Sequence, residues 1–163
     1  MNRLFCVFVL GLAACATDPL PSGYSGPVAK LLDSVGDSGD TTHHALYSRD
    51  EYFFASAIDG KPIKDTLSAT RTKSFGKGKN TDYDIINRDI PVRLITIKIE
   101  GKVSYAPPIF ELTHAGSLYS VAKVIQFEPA EGRTYIVKGK LAETGSEVWL
   151  EDMRTGEHVG TKE

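Results

Sequence analysis

Few side chains in this chain have both the type and the spacing that chemistry demands. The two thiols are Cys6 and Cys15; Cys6 lies inside an apolar run, while Cys15 follows the small residues Ala13 and Ala14. A thiol on so slim a backbone is the side chain best suited to carry a thioether-linked group. His43-His44 is the next candidate, as a metal-binding pair. Neighbours on an extended chain point to opposite sides, and no histidine pair has i, i+4 spacing, so no metal site is expected. Arg71, Lys73, Lys77 and Lys79 form a basic, glycine-rich loop suited to an anionic partner such as an acidic glycan or a protein patch. Gly76-Lys77-Gly78-Lys79 lacks the phosphate-loop spacing, and solvated lysines on an excursion are the plainer reading.

The carboxylates Glu128, Glu131, Glu147, Glu151, Asp152 and Glu157 make the C-terminal third acidic. A pair of them at the right separation would suit glycoside hydrolysis, although strand-end solvent groups read the same way. Trp149 shares its strand face with Glu147 and Glu151, so it is either the edge of the core or an exposed aromatic for a sugar or a protein. There is no G-x-S-x-G elbow. No catalytic residue, metal or cofactor is expected.

The N-terminus supplies an address. Met1-Asn2-Arg3 and an apolar run from Leu4 to Leu12 have the layout of a secretory signal peptide, too short to span a bilayer. Leu12-Ala13-Ala14-Cys15 resembles the lipobox of bacterial lipoproteins. That resemblance implies cleavage before Cys15, which becomes the first mature residue and carries lipid. Two or three acyl chains anchor firmly where one does not. Residues 1–14 are thus expected to leave as signal peptide and 15–27 to form a lipidated tether, rich in proline, glycine and serine. By resemblance to enteric lipoproteins, Ala16 at mature position two implies the outer membrane, facing the periplasm. The remaining domain, 28–163, keeps no thiol. The formal charge of -2 and the exported address give no reason to expect nucleic acid.

The elements that must hold these residues read as β-strands. Val28–Val35 fits a first strand, though its apolar spacing also fits a helical face. Glu51–Ile58 ends at Asp59-Gly60, a two-residue hairpin signal. Lys64–Asn87 is a polar excursion with at most a short strand near Tyr83–Ile86. Ile95, Ile97 and Ile99 alternate with Thr96, Lys98 and Glu100, the period of a half-buried strand; Gly101-Lys102 is expected to turn it. Strands follow at Leu118–Phe127, Thr134–Leu141 and Val148–Asp152. About seven to eight strands and no helix predict an all-β, antiparallel, immunoglobulin-like sandwich.

Phe127-Glu128-Pro129-Ala130-Glu131-Gly132-Arg133-Thr134-Tyr135-Ile136-Val137, with Val148–Asp152 and Thr155-Gly156 after it, resembles small Gram-negative envelope lipoproteins. These are thought to carry an immunoglobulin-like or PEGA-like sandwich. The resemblance rests on turn and core residues, so it implies fold and address and transfers no site. The expected function is a lipid-anchored, non-enzymatic binding or scaffolding protein whose partners are the membrane, through its lipid, and an envelope protein or anionic glycan. The alternative is a carbohydrate-binding accessory or hydrolase using the acidic surface around Trp149.

Overall fold

Alternating apolar positions build two sheets that face each other across a shared core. The computed structural model describes residues 16–36, 42–43 and 46–162, the side chains of 42, 43 and 162 excepted. The expected signal peptide, Cys15 and His44 lie outside the described residues, and of His43 only the backbone lies within them.

The first strand, β1 (Val28–Leu32), continues past Asp33 into β2 (Ser34–Val35). Then come β3 (Thr42–His43), β4 (Ser48–Ile58), β5 (Lys61–Pro62), helix α1 (Thr66–Lys73), β6 (Asn87–Pro91) and β7 (Ile95–Ala106). A short helix, α2 (Phe110–Thr113), leads to β8 (Ser120–Phe127), β9 (Thr134–Lys140), β10 (Glu147–Asp152), β11 (His158–Val159) and β12 (Thr161–Lys162). The smaller sheet has the order β11-β10-β9-β1-β6; the larger runs β12-β8-β7-β4-β2, with β3 and β5 also paired to β4. Among the described strands, β1 and β9 form the one parallel pair. This is an all-β sandwich.

Two corners tie the sheets together. The chain crosses from the smaller to the larger sheet at Asp33, between β1 and β2, and again at Gly160, between β11 and β12. Gly160 has φ 89°, and a Cβ there would stand 3.0 Å from Ile125 Cδ1, so a side chain would be strained.

Inside, Ile95, Ile97, Ile99, Val103 and Tyr105 of β7 meet Leu31, Ile90, Val137 and Leu150 of the smaller sheet. The Phe53 ring fills the gap above two glycines. A Cβ on Gly139 would come within 2.4 Å of that ring, and one on Gly101 within 3.0 Å. Gly101 therefore does not turn the chain as expected; β7 runs straight through Gly101-Lys102 to Ala106, because the glycine makes room for Phe53.

The excursion after β5 also departs from expectation. It holds α1, and Tyr83–Ile86 forms no strand. Asp65 caps the helix by accepting from Ser68 N at 2.8 Å. The segment expected as a tether begins with Thr17 held on β5, its N–H and hydroxyl both donating to Pro62 O at 2.9 Å.

Candidate functional site: a groove on the larger sheet

Residues 52–55 of β4 are buried on both faces, so something must cover the sheet from outside. Phe53 and Ala55 point inward; Tyr52 and Phe54 point outward and pack with Leu67 of α1 and Tyr83. The excursion is thus a cover laid over the outer face at Tyr52 and Phe54.

A ladder of hydroxyls fixes that cover. Thr66, Thr70 and Ser74 recur at intervals of four along one side of the α1 segment. Their oxygens accept the backbone N–H groups of Ile86 at 2.9 Å, Asp84 at 3.0 Å and Asp82 at 2.8 Å. Four helical residues rise about 6 Å and two extended residues about 6.6 Å, so helix and returning chain stay in register.

The start of α1 is pinned by Asp33. Its carboxylate accepts from Thr66 N and Oγ1, both at 3.0 Å, from Ala55 N at 3.1 Å and from Arg88 Nη2 at 2.6 Å. Burial is the strongest influence on this carboxyl and raises it, against the pull of Arg88 and the two backbone N–H groups. This corner group joins β1, β4, β6 and α1 in one buried network.

A groove remains between α1 and residues 107–120. Its floor is the outer face of β4 and β7, where Asp50 stands opposite Ser104, Tyr52 opposite Lys102 and Phe54 opposite Glu100. Arg71 crosses the groove and bonds to Ser104 Oγ at 2.9 Å and to Glu111. On one side of this crossing, Glu100 is gripped by Lys98 at 2.8 Å and Lys102 at 2.6 Å. Burial raises the Glu100 carboxyl, but the lysine hydrogen bonds outweigh it and hold it at about 2.

On the other side lies a cavity of about 340 Å³, a size suited to a small ligand. Asp50 lies at its base, 2% exposed. The carboxylate accepts from Tyr83 OH at 2.8 Å and Thr81 Oγ1 at 3.2 Å, and Ser48 Oγ stands 3.5 Å away. Burial, and then this carboxylate, push the Tyr52 and Tyr83 phenols well above their usual range, so both stay protonated at neutral pH. The rim is apolar: Phe75, 90% exposed, lines the cavity together with Pro107 and Pro108. Leu46, Ile109 and Leu112, from the chain ends flanking β4 and β7 there, are also exposed. Behind this rim, Tyr47, Tyr105, Phe110 and His114 stack together; the Tyr105 and His114 rings are 4.8 Å apart.

Of the basic residues singled out from the sequence, Arg71 alone lines the cavity. Lys73 and Lys77 converge on Asp82 at 3.0 and 2.9 Å, and their hydrogen bonds lower its carboxyl. Lys79 is exposed, and its carbonyl accepts from Ser48 Oγ at 3.2 Å. Trp149 lies on the other sheet, its outward position matching the alternation of β10. Its ring stacks on His158 at 4.9 Å, and its N–H reaches Glu151 at 3.4 Å. Glu151 is also paired with Lys138, and Asp152 with Arg133. Asp50, Ser104 and Glu111 escape a sequence reading because strand pairing sets Asp50 opposite Ser104 and α2 brings Glu111 to that serine. The Thr66-x-x-x-Thr70-x-x-x-Ser74 spacing is the one local signal of the cover.

Among the described residues no group of three or more His, Cys, Asp or Glu could hold a metal ion, and no helix is long and apolar enough to cross a membrane. Comparison with protein-family models, curated proteins and solved structures found no match.

Proposed function

We propose that this chain is a lipid-anchored cell-envelope protein that binds another envelope component without converting it, and that the groove beside α1 is its contact site. The observation that carries this reading is the cavity above Asp50 with its apolar rim, set at the opposite end of β4 from the N-terminal segment. Thr17 is held beside Pro62, which pairs with Ala57, whereas the cavity is lined by Asp50. At about 3.3 Å per residue, β4 separates the two by roughly 23 Å. A lipid on Cys15 would then hold one end of the sandwich at the outer membrane and present the groove to the periplasm. The reading includes an immunoglobulin-like sandwich, supported by two packed sheets and by strands that change sheet at Asp33 and Gly160.

The second reading, a carbohydrate contact at Trp149, is favoured by an open hollow of about 380 Å³ lined by Trp149, His158 and Glu147. Photo-crosslinking in whole cells separates the two. A crosslinker at position 75 is expected to give a discrete adduct that one at position 149 does not; adducts from 149 alone would refute the groove. Fatty-acid labelling should disappear in Cys15→Ser, and persistent labelling would remove the anchor from the account.

A further inference from the structure

We infer that the cavity over Asp50 receives a cationic group, an ammonium or guanidinium, carried on an apolar stem. This deepens the proposed binding reading at the same cavity, on which it rests.

The argument is one of charge and ring faces. Arg71 is matched by Glu111, and Glu100 by Lys98 and Lys102. Asp50 is different: among the described residues its donors are the hydroxyls of Tyr83 and Thr81, with Ser48 nearby at 3.5 Å, and no cation forms an ion pair with it. Hydroxyl donors solvate a carboxylate without cancelling its charge. In a buried setting, the field of such a charge is little screened, so a cation entering the cavity gains most where Asp50 lines it. The Arg71 guanidinium does not reverse that field, since Glu111 and Ser104 hold it at the groove crossing.

The wall suits the same ligand. Tyr52 and Phe75 bring aromatic side chains to the lining, which attract cations, and Pro107 and Pro108 offer apolar surface for a stem. An anionic ligand would meet the buried Asp50 carboxylate, while Arg71, the one cation among the described lining residues, is already paired with Glu111. A free amine and a lysine or arginine side chain of a partner protein share this chemistry.

The test is titration of the full-length chain in non-ionic micelles, followed by amide NMR shifts and calorimetry. The probes are n-pentylammonium, pentanol and pentanoate. Pentylammonium is expected to shift amides around Thr81 and Ser104 and to bind about tenfold or more tightly than pentanol. Asp50→Asn keeps the shape, because Ser48 and Thr81 hydroxyls can accept from the new amide, and should abolish that tenfold preference. Pentanoate binding as tightly as the amine, or an unchanged preference in Asp50→Asn, would overturn the inference while leaving groove binding intact. If Asp50→Asn does not fold, Phe75→Ala serves, since that ring is 90% exposed. A severalfold loss of amine affinity is expected, and none would overturn the inference. A lysine-containing peptide binding more tightly than the amine would point to a protein partner; equal binding would point to a free amine.

Discussion

The two outer faces of this sandwich are made from similar strands and end up with different properties. On the smaller sheet the outer face of β9 and β10 is plain surface: Lys138 stands opposite Trp149 and reaches Glu151 at 2.9 Å, and His158 stacks on the indole. Such partly exposed pairs add little stability. On the larger sheet one inserted excursion buries Tyr52 and Phe54, brings Asp50 and Glu100 out of solvent and leaves a groove. A polar face becomes a site here because something covers it, and the cover depends on Asp33 and the hydroxyl ladder.

That contrast can be broken at its foundation. Asp33→Ala leaves Arg88 buried without its carboxylate and frees the start of α1. The expected loss is about 3–5 kcal/mol of stability, read by urea unfolding. A loss below 1 kcal/mol would mean the cover is not held there. Acid provides the next test. Folded, Glu100 sits at about 2 against an ordinary 4.5, so the unfolded chain binds its proton more tightly. Its contribution is complete above pH 4.5 and is lost as pH falls toward 2. Wild type should exceed Glu100→Gln by about 2 kcal/mol at pH 6, after screening at the half-exposed lysines, and the gap should close at low pH. A pH-independent gap would contradict the assignment.

Smaller effects sharpen the comparison. Thr70→Val removes the acceptor for Asp84 N and should cost about 1–2 kcal/mol, with faster exchange at that amide. Lys138→Ala, on the open face, should change stability by no more than about 0.5 kcal/mol in the same assay. Equal costs for these two substitutions would erase the distinction between the faces.

Much of the frame is legible in the residues themselves. Asp59-Gly60 marks the β4–β5 hairpin, and its φ values of 49° and 74° are those a tight two-residue turn needs. The alternation of Ile95, Ile97 and Ile99 gives the inward face of β7, and that of Val148 and Leu150 leaves Trp149 outside. The rest was hidden for physical reasons. Helix α1 carries threonines and serines on its packed side, so apolar periodicity does not reveal it; its hydroxyls bind backbone instead. Gly101 reads as a turn until the Phe53 ring is placed above it. Asp50 looks like one acid among many, because its seclusion comes from Thr81 and Tyr83, thirty residues along the chain.

The claim beneath all of this is that the excursion forms a fixed cover whose edge makes the groove. Native-state hydrogen exchange at the amides of Asp82, Asp84 and Ile86 tests it most directly. The account predicts protection at all three, lost together in Asp33→Ala. Exchange at the rate of an open loop in the wild-type chain would contradict it.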